Sequence, residues 1–297
     1  MSGASFGAMA IFAKLAYDQG AGVLALLSAR FVIAAAVFWA VVAARGLLRG
    51  GGLDRRAALV ALALGGIGYT TQAGLFFAAL ERIDASLASL LLYAYPAFVT
   101  VGAFLVGRER PDARKACALV AATGGVALVL LGAGGADLDA LGAAMALGSG
   151  AAYACFLLVS DRLLGRLHPL MLSALVTTGA GVVCTIAATA AGSAPVTLSA
   201  PALGWIVALA LISTVLAVST AYAGLERVGP TTASILFTIE PPVTVALAAV
   251  VFGETLAGVQ LLGGALVLSA VVLLAARRGE REPRATRAIA AAEATAG

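Results

Sequence analysis

Charge is scarce in this chain. Of 297 residues, 11% are Asp, Glu, Lys or Arg and 62% are apolar, and the mean hydropathy is +1.03. A water-soluble domain carries about 25% charged and roughly 45–50% apolar residues, so a soluble globular fold is excluded. Histidine is scarcer still: His168 stands alone, before Pro169. The three cysteines, Cys117, Cys155 and Cys184, form no C-x-x-C pair. That set is too small for a metal centre, and its odd count excludes a disulfide framework. One loop histidine supplies no nucleophile–base pair. No glycine-rich turn is followed by Lys-Ser or Lys-Thr, so ATP does not drive the protein directly. Neither an enzyme nor a cofactor is expected.

What the chain has in abundance is hydrophobic length. A helix needs about 17–25 apolar residues to cross a hydrocarbon core, and such stretches fill nearly the whole sequence. Placing every charge cluster in a loop gives ten spans, near 3–17, 22–44, 57–79, 84–106, 113–132, 140–160, 169–191, 202–223, 228–252 and 256–276. They must be helices, because helices satisfy every backbone group within one segment, and the alternation of barrel strands is missing. The expected fold is all-α and integral to the membrane. The first span is short: sixteen residues rise only ~24 Å at 1.5 Å each. It is either tilted into a thin region or begins upstream of Met1. It has no basic flank and no cleavage site, so a removable signal peptide is not expected.

The positive charges orient the spans. With the N-terminus inside, inner loops and the C-terminal tail hold sixteen of the nineteen Lys and Arg. Arg82 falls in an outer loop, and Lys14 and Arg30 lie within spans. Both termini are therefore expected on the cytoplasmic side of the membrane. The net charge of +4 reflects this topology and is no sign of a nucleic-acid partner. The expected partners are the lipid bilayer and a small-molecule substrate; a monomer and a homodimer both stand.

Residues 80–109 recur at 225–254 without a gap, with ten identities. These include Leu80/Leu225, Glu81/Glu226, Arg82/Arg227, Ser89/Ser234, Pro96/Pro241 and Glu109/Glu254. Apolar positions match by chance in such a chain; Glu, Arg, Ser and Pro in one register do not. Five spans separate the copies, so the halves have opposite orientations. This predicts two inverted five-helix repeats, 1–135 and 136–276, around a central cavity, and a basic, disordered cytoplasmic tail at 277–297. Inverted repeats are the build of secondary transporters, with the substrate site near the midplane.

The ten helices, the G-R-E and F-G-E ends of the fourth and ninth spans and the mid-helix prolines resemble the drug/metabolite transporter superfamily, EamA branch. Tyr93-Ala94-Tyr95-Pro96 and Gly68-Tyr69 resemble YddG-type amino-acid exporters within it. The resemblance covers about residues 3–276. It implies outward transport of small metabolites, often amino acids, and a cavity lined by the third, fourth, sixth, eighth and ninth spans.

Glu240 stands near the centre of the ninth span, where a charge is costly and by default functional. Pro241 and Pro242 follow it and free the carbonyls of Phe237 and Thr238. Glu240 would bind a substrate ammonium group or take up a proton; the plainer alternative is a protonated side chain bonded to a neighbouring helix. Its mate in the repeat is Tyr95. The aromatic candidates are Tyr69, Phe76, Tyr93, Tyr95, Tyr153, Phe156, Tyr222 and Phe237, beside ordinary packing. Pro96, Pro241 and Pro242 are candidate helix breaks. Gln72 shares a face with Tyr69 and reads either as a ligand or as interhelical glue. Lys14 can pair with Asp18 one turn away and snorkel to the outer surface, with a role toward substrate as the alternative. Arg30 is expected to find an ion pair or a carbonyl, with a gate as the alternative. Glu109 and Glu254 are expected at the starts of the helices that follow them. Gly3 and Gly7, spaced as G-x-x-x-G, and Gly124, Gly125, Gly263 and Gly264 should allow close helix approach.

Three functions are compatible with these residues: an amino-acid or metabolite exporter, a cation or multidrug efflux carrier coupled to protons through Glu240, and a non-transporting scaffold or receptor.

Overall fold

The computed structural model describes residues 1–48, 54–105, 113–133, 138–164, 166–193, 198–221 and 237–275. Tyr222, the repeat residues 225–236, Glu109 and the basic tail lie outside the described residues. Every regular element among them is helical. The helices are α1 (Ser2–Gly7), α2 (Met9–Asp18), α3 (Val23–Ala44), α4 (Arg55–Ala63), α5 (Thr70–Leu80), α6 (Ala85–Leu92), α7 (Tyr95–Leu105), α8 (Ala113–Gly132), α9 (Ala140–Leu164), α10 (Pro169–Ala190), α11 (Ala200–Ala210), α12 (Glu240–Phe252) and α13 (Gly258–Ala275).

Seven described helices are long and apolar enough to cross a membrane: Val23–Ala44, Arg55–Leu80, Ala85–Gly102, Ala113–Gly132, Ala140–Leu164, Pro169–Ala190 and Ala200–Ala221. The first expected span departs from a single rod. It is broken at Ala8 into α1 and α2. The last two expected spans are represented by the shorter apolar helices α12 and α13.

Local chemistry sets the ends. Asp54 caps α4, its Oδ1 accepting from the N–H groups of Arg56 and Ala57 at 3.0 and 3.1 Å. His168 Nδ1 accepts from the Leu170 N–H at 3.2 Å, and Pro169 opens α10 where no N–H is needed. The lone histidine is thus a helix cap. Gly253 ends α12 at φ 68°, a left-handed conformation costly for residues with a Cβ.

Two segments wind as π-helix inside longer helices: Leu64–Tyr69 joins α4 to α5, and Leu211–Leu216 follows α11. In each, a threonine hydroxyl donates to the carbonyl five residues back: Thr70 to Gly65 at 3.1 Å and Thr214 to Leu209 at 3.3 Å. Hydroxyls thereby satisfy carbonyls that the wider turn frees. Two further breaks fall at Tyr93–Ala94 and at Thr238–Ile239.

The helices pack in matched sets. α3 lies along α10, and α8 along α13. α9 packs against α5, α6 and α7, while α2 meets α11 and α1 meets α12. The α8–α13 contact is backbone on backbone: a Cβ on Gly125 would come within 2.7 Å of the Gly263 carbonyl, and one on Gly263 within 2.5 Å of the Gly125 carbonyl. Gly124 faces open space and takes no part. Buried leucine, alanine and phenylalanine of α2, α3, α5, α6, α10 and α11 form the main core.

The expected loops gather at two ends. At one, Lys14 reaches Glu254 at 2.9 Å and Asp84 at 3.8 Å, Arg82 pairs with Asp139 at 2.8 Å, and Ser199 bonds the Gln19 carbonyl at 3.2 Å. At the other, Arg166 lies 3.6 Å from Asp54, and Arg114 donates to the Leu273 carbonyl.

This corrects two expectations. Lys14 bridges α2 to distant loops instead of pairing with Asp18. Glu254 caps a helix far from it in sequence, not the one that follows: its carboxylate accepts from the N–H groups of Ala85 and Ser86 at 3.0 Å each and from the Ser86 hydroxyl at 2.7 Å. The partial positive charge at the start of α6 explains the choice. Burial would raise the Glu254 pKa, but the Ser86 N–H and hydroxyl, Lys14 and the Ala85 N–H outweigh it and hold the carboxyl below its ordinary range.

Candidate functional site

The breaks bring the candidate side chains together. α6 stops at Leu92 and α7 begins at Tyr95, with Pro96 at its second position. α12 starts at Glu240, with Pro241 and Pro242 in its first turn. Proline lacks the N–H that would bond one turn back, so the carbonyl of Phe237 is released. Tyr93 takes it: its hydroxyl donates to the Phe237 carbonyl at 2.7 Å and lies 2.9 Å from Glu240 Oε2. The two breaks therefore meet at one phenol.

From Tyr93 a line of rings runs inward. Tyr95 is edge-on at 5.6 Å, Tyr153 is edge-on to Tyr95 at 4.9 Å, and Phe156 stacks on Tyr153 at 6.1 Å. Tyr69 stacks on Phe156 at 5.2 Å, and Phe31 tilts against Tyr69 at 5.1 Å. Tyr95, Tyr153, Phe156, Tyr69 and Glu240 are partly exposed, whereas Tyr93 and Phe31 are buried. A partly exposed row of aromatic faces ending on a carboxylate offers apolar contact along its length and one acidic group at its tip.

Arg30 anchors the far end. It is 1% exposed, yet no carboxylate or carbonyl pairs with it among the described residues. Its Nε donates to Thr214 Oγ1 at 3.0 Å and its Nη2 to Met9 Sδ at 3.3 Å. The guanidinium also lies over the rings of Phe31 and Phe77, 5.1 and 5.0 Å from their centroids. The expected ion pair gives way to a hydroxyl, a sulfur and two π-faces, which suit a weakly hydrated planar cation. Arg30 and Phe31 thus connect the two π-helical segments, one through Thr214 and one through Tyr69.

The remaining candidates fall outside the line. Phe76 is buried edge-on to Phe77 at 5.8 Å. Gln72 donates to Ser149 Oγ at 3.1 Å, and Ser149 donates back to the Gln72 carbonyl at 2.9 Å. That closed pair fastens α5 to α9 as interhelical glue. Lys14 is held by Glu254 at the end of the bundle. Phe237 contributes its carbonyl. Sequence reasoning missed Phe31, Phe77, Thr214 and Thr244. Thr214 had a signal, since it is the repeat mate of Tyr69. Thr244 donates to the Gly7 carbonyl at 2.9 Å, locking α12 onto α1, where a Cβ on Gly7 would come within 2.9 Å of the Glu240 carbonyl. The break at Ala8 thus lies between Gly7, against Glu240, and Met9, on Arg30.

Among known proteins, the sequence model described as the EamA-like transporter family matches twice, over residues 1–131 and 140–276. The threonine/homoserine exporter RhtA of Salmonella typhimurium is 29% identical over 209 residues, 70% of this chain and 67% of that protein. The uncharacterized transporter YcbK of Bacillus subtilis is 27% identical over 266 residues, 87% of this chain and 85% of that one. A solved crystal structure at 22% identity superposes with a TM-score of 0.61, covering 93% of this chain and 97% of the other, and speaks for the fold alone.

Proposed function

The chain belongs to the EamA-like transporter family, a multi-pass membrane protein of the bacterial inner-membrane type, and from that premise we propose that it exports amino acids or related small metabolites by alternating access. The observation that carries this reading is the meeting of two broken helices at Tyr93 and Glu240, with a row of partly exposed aromatic rings leading to it. A substrate ammonium group would take the Glu240 carboxylate, and its side chain the rings of Tyr95, Tyr153, Phe156 and Tyr69. The family name, and the amino-acid exporter among the relatives, support the cargo class.

The mechanism follows from ten spans arranged as two inverted halves, 1–135 and 136–276, with both termini and the tail 277–297 in the cytoplasm. The two separate family matches agree with this division. So do the pairings of α3 with α10 and α8 with α13, which are the second span with the seventh and the fifth with the tenth. Exchanging the conformations of inverted halves opens one central site to opposite sides in turn.

A second reading has its own observation. The Tyr93 hydroxyl carries one proton but touches two acceptors, the Phe237 carbonyl and Glu240 Oε2. If that proton goes to the carbonyl, the second contact is a hydrogen bond only when Glu240 is protonated and donates to Tyr93. This favours a carrier in which proton and substrate share Glu240, as in a cation or multidrug exporter. Flux into proteoliposomes separates the readings. Labelled amino acids that exchange, while a quaternary ammonium does not, support the first; the reverse supports the second. A scaffold or receptor predicts no flux of any solute.

A further inference from the structure

Three arginines converge on one cleft at the end of the bundle where Asp54 meets Arg166. The cleft holds about 430 Å³, within the ~300–1,000 Å³ of small-ligand sites, and is lined by Arg56, Ala57, Val60, Arg162, Leu163 and Arg166. It lies between the first turn of α4 and the last turn of α9, both parts of membrane-crossing helices.

Among the described side chains, three arginines meet one acid at this cleft. Asp54 is the one acid beside it that pairs with an arginine among the described residues. Its Oδ1 is committed to the cap of α4, and its Oδ2 meets Arg166 Nη1 at a loose 3.6 Å. Arg56 and Arg162 have no ion pair among the described residues, and their side chains are exposed. Arginines that merely mark the cytoplasmic side would spread along the loops and repel one another into solvent. These three face a common concavity.

The remaining wall is apolar, formed by Ala57, Val60 and Leu163, and exposed apolar side chains flank it. Val60 is 41% exposed, Leu59 beside it on α4 is 66% exposed, and Leu164 at the end of α9 is 37% exposed. A free phosphate would gain nothing from such a wall; an acyl chain would. Guanidinium groups match phosphate oxygens in a planar fork, and basic clefts between spans at the cytoplasmic face take anionic headgroups.

We propose that this cleft binds the headgroup phosphate of an anionic phospholipid such as phosphatidylglycerol, with Arg56, Arg162 and Arg166 as its cationic walls and Val60 beneath the acyl chain. The assignment to the inner leaflet rests on the orientation proposed above; the binding itself does not. A lipid held here would tie α4 to α9, and thus the first half to the second, close to the π-helical segment that bears Tyr69.

The test uses the full-length protein in neutral detergent, titrated with phosphatidylglycerol, phosphatidylcholine or inorganic phosphate, and read by native mass spectrometry and thermal melting. The wild type retains phosphatidylglycerol over phosphatidylcholine and melts higher with it, and inorganic phosphate leaves the melt unchanged. Each Arg→Gln change at Arg56, Arg162 or Arg166 weakens retention about fivefold, the effect of one surface cation on an anionic lipid. Arg162→Gln removes no ion pair among the described residues, and a triple Lys variant of Arg56, Arg162 and Arg166 keeps the charge and should still prefer phosphatidylglycerol, so these two report even if Arg166→Gln, which loses the Asp54 pair, fails to fold. Equal retention by wild type and Arg162→Gln overturns the proposal, as does equal binding of both lipids. A melting shift with inorganic phosphate equal to that with the lipid makes the cleft a phosphate site and also overturns it. No flux is measured, so failure here leaves the transport reading untouched, and the converse holds.

Discussion

The break at Tyr93–Ala94 and the break at Thr238–Ile239 have the same backbone and opposite chemistry. They stand 145 residues apart, the interval that separates Leu80 from Leu225. The π-helical segments Leu64–Tyr69 and Leu211–Leu216 overlap in that same register. Each π segment is steadied by a threonine hydroxyl bonded five residues back. Yet the first break carries Tyr93 and Tyr95, and the second carries Thr238 and Glu240. The backbone discontinuities match while the side chains exposed by them differ. On the proposed inverted arrangement, an asymmetric ligand would be told end from end there.

The largest effect is expected at Glu240. Glu240→Gln keeps the shape and one hydrogen bond to Tyr93 but removes the ionisable group, and flux should fall by about a hundredfold, the scale of a lost charged contact. The mirror change, Tyr95→Phe, keeps the ring and should leave flux within about threefold, since aromatic contact outweighs one partly exposed hydroxyl.

Next comes the α8–α13 contact. Gly263→Val forces a branched side chain into the Gly125 backbone and should cost about 1–3 kcal/mol or more by thermal melting. Gly124→Val, one residue from that contact, should cost far less, because no atom lies within 4 Å of a Cβ there.

Tyr93→Phe comes third. It leaves the freed Phe237 carbonyl and the Glu240 carboxyl without their shared phenol and should destabilise by about 1–3 kcal/mol.

The Glu254 cap gives a pH signature. Its carboxyl is held below the ordinary carboxylate range, so its stabilisation is present above the unfolded-state value and disappears as the pH falls through the depressed folded value. Melting curves of Glu254→Gln should lie below wild type by about 1 kcal/mol at neutral pH and converge with it in acid. The smallest effect belongs to Arg82→Ala. Its exposed pair with Asp139 should leave the melting temperature unchanged within error.

Much of the architecture was legible in the sequence. Seven expected spans appear as long apolar helices, and the proline that frees the Phe237 carbonyl was identified from covalent structure alone. The aromatic set was legible too: Tyr69, Tyr93, Tyr95, Tyr153 and Phe156 fall on one line. The break at Ala8 was not, because alanine carries no helix-breaking signal; it lies beside the close approach of Gly7 to α12. Nor were the partners of Lys14, Glu254 and Arg30. Sequence spacing sees neighbours one turn away, whereas these side chains bond residues 240, 168 to 169 and 184 positions distant. Glu254 serves α6 because folding brings that helix start beside it.

Amino-acid exchange in proteoliposomes, followed across pH for wild type, Glu240→Gln and Tyr95→Phe, tests the central claim most directly. Wild type and Tyr95→Phe should show pH-dependent flux, and Glu240→Gln a residual flux that no longer responds to pH. Wild-type flux and pH dependence preserved in Glu240→Gln would contradict it and leave the carboxylate a packing group.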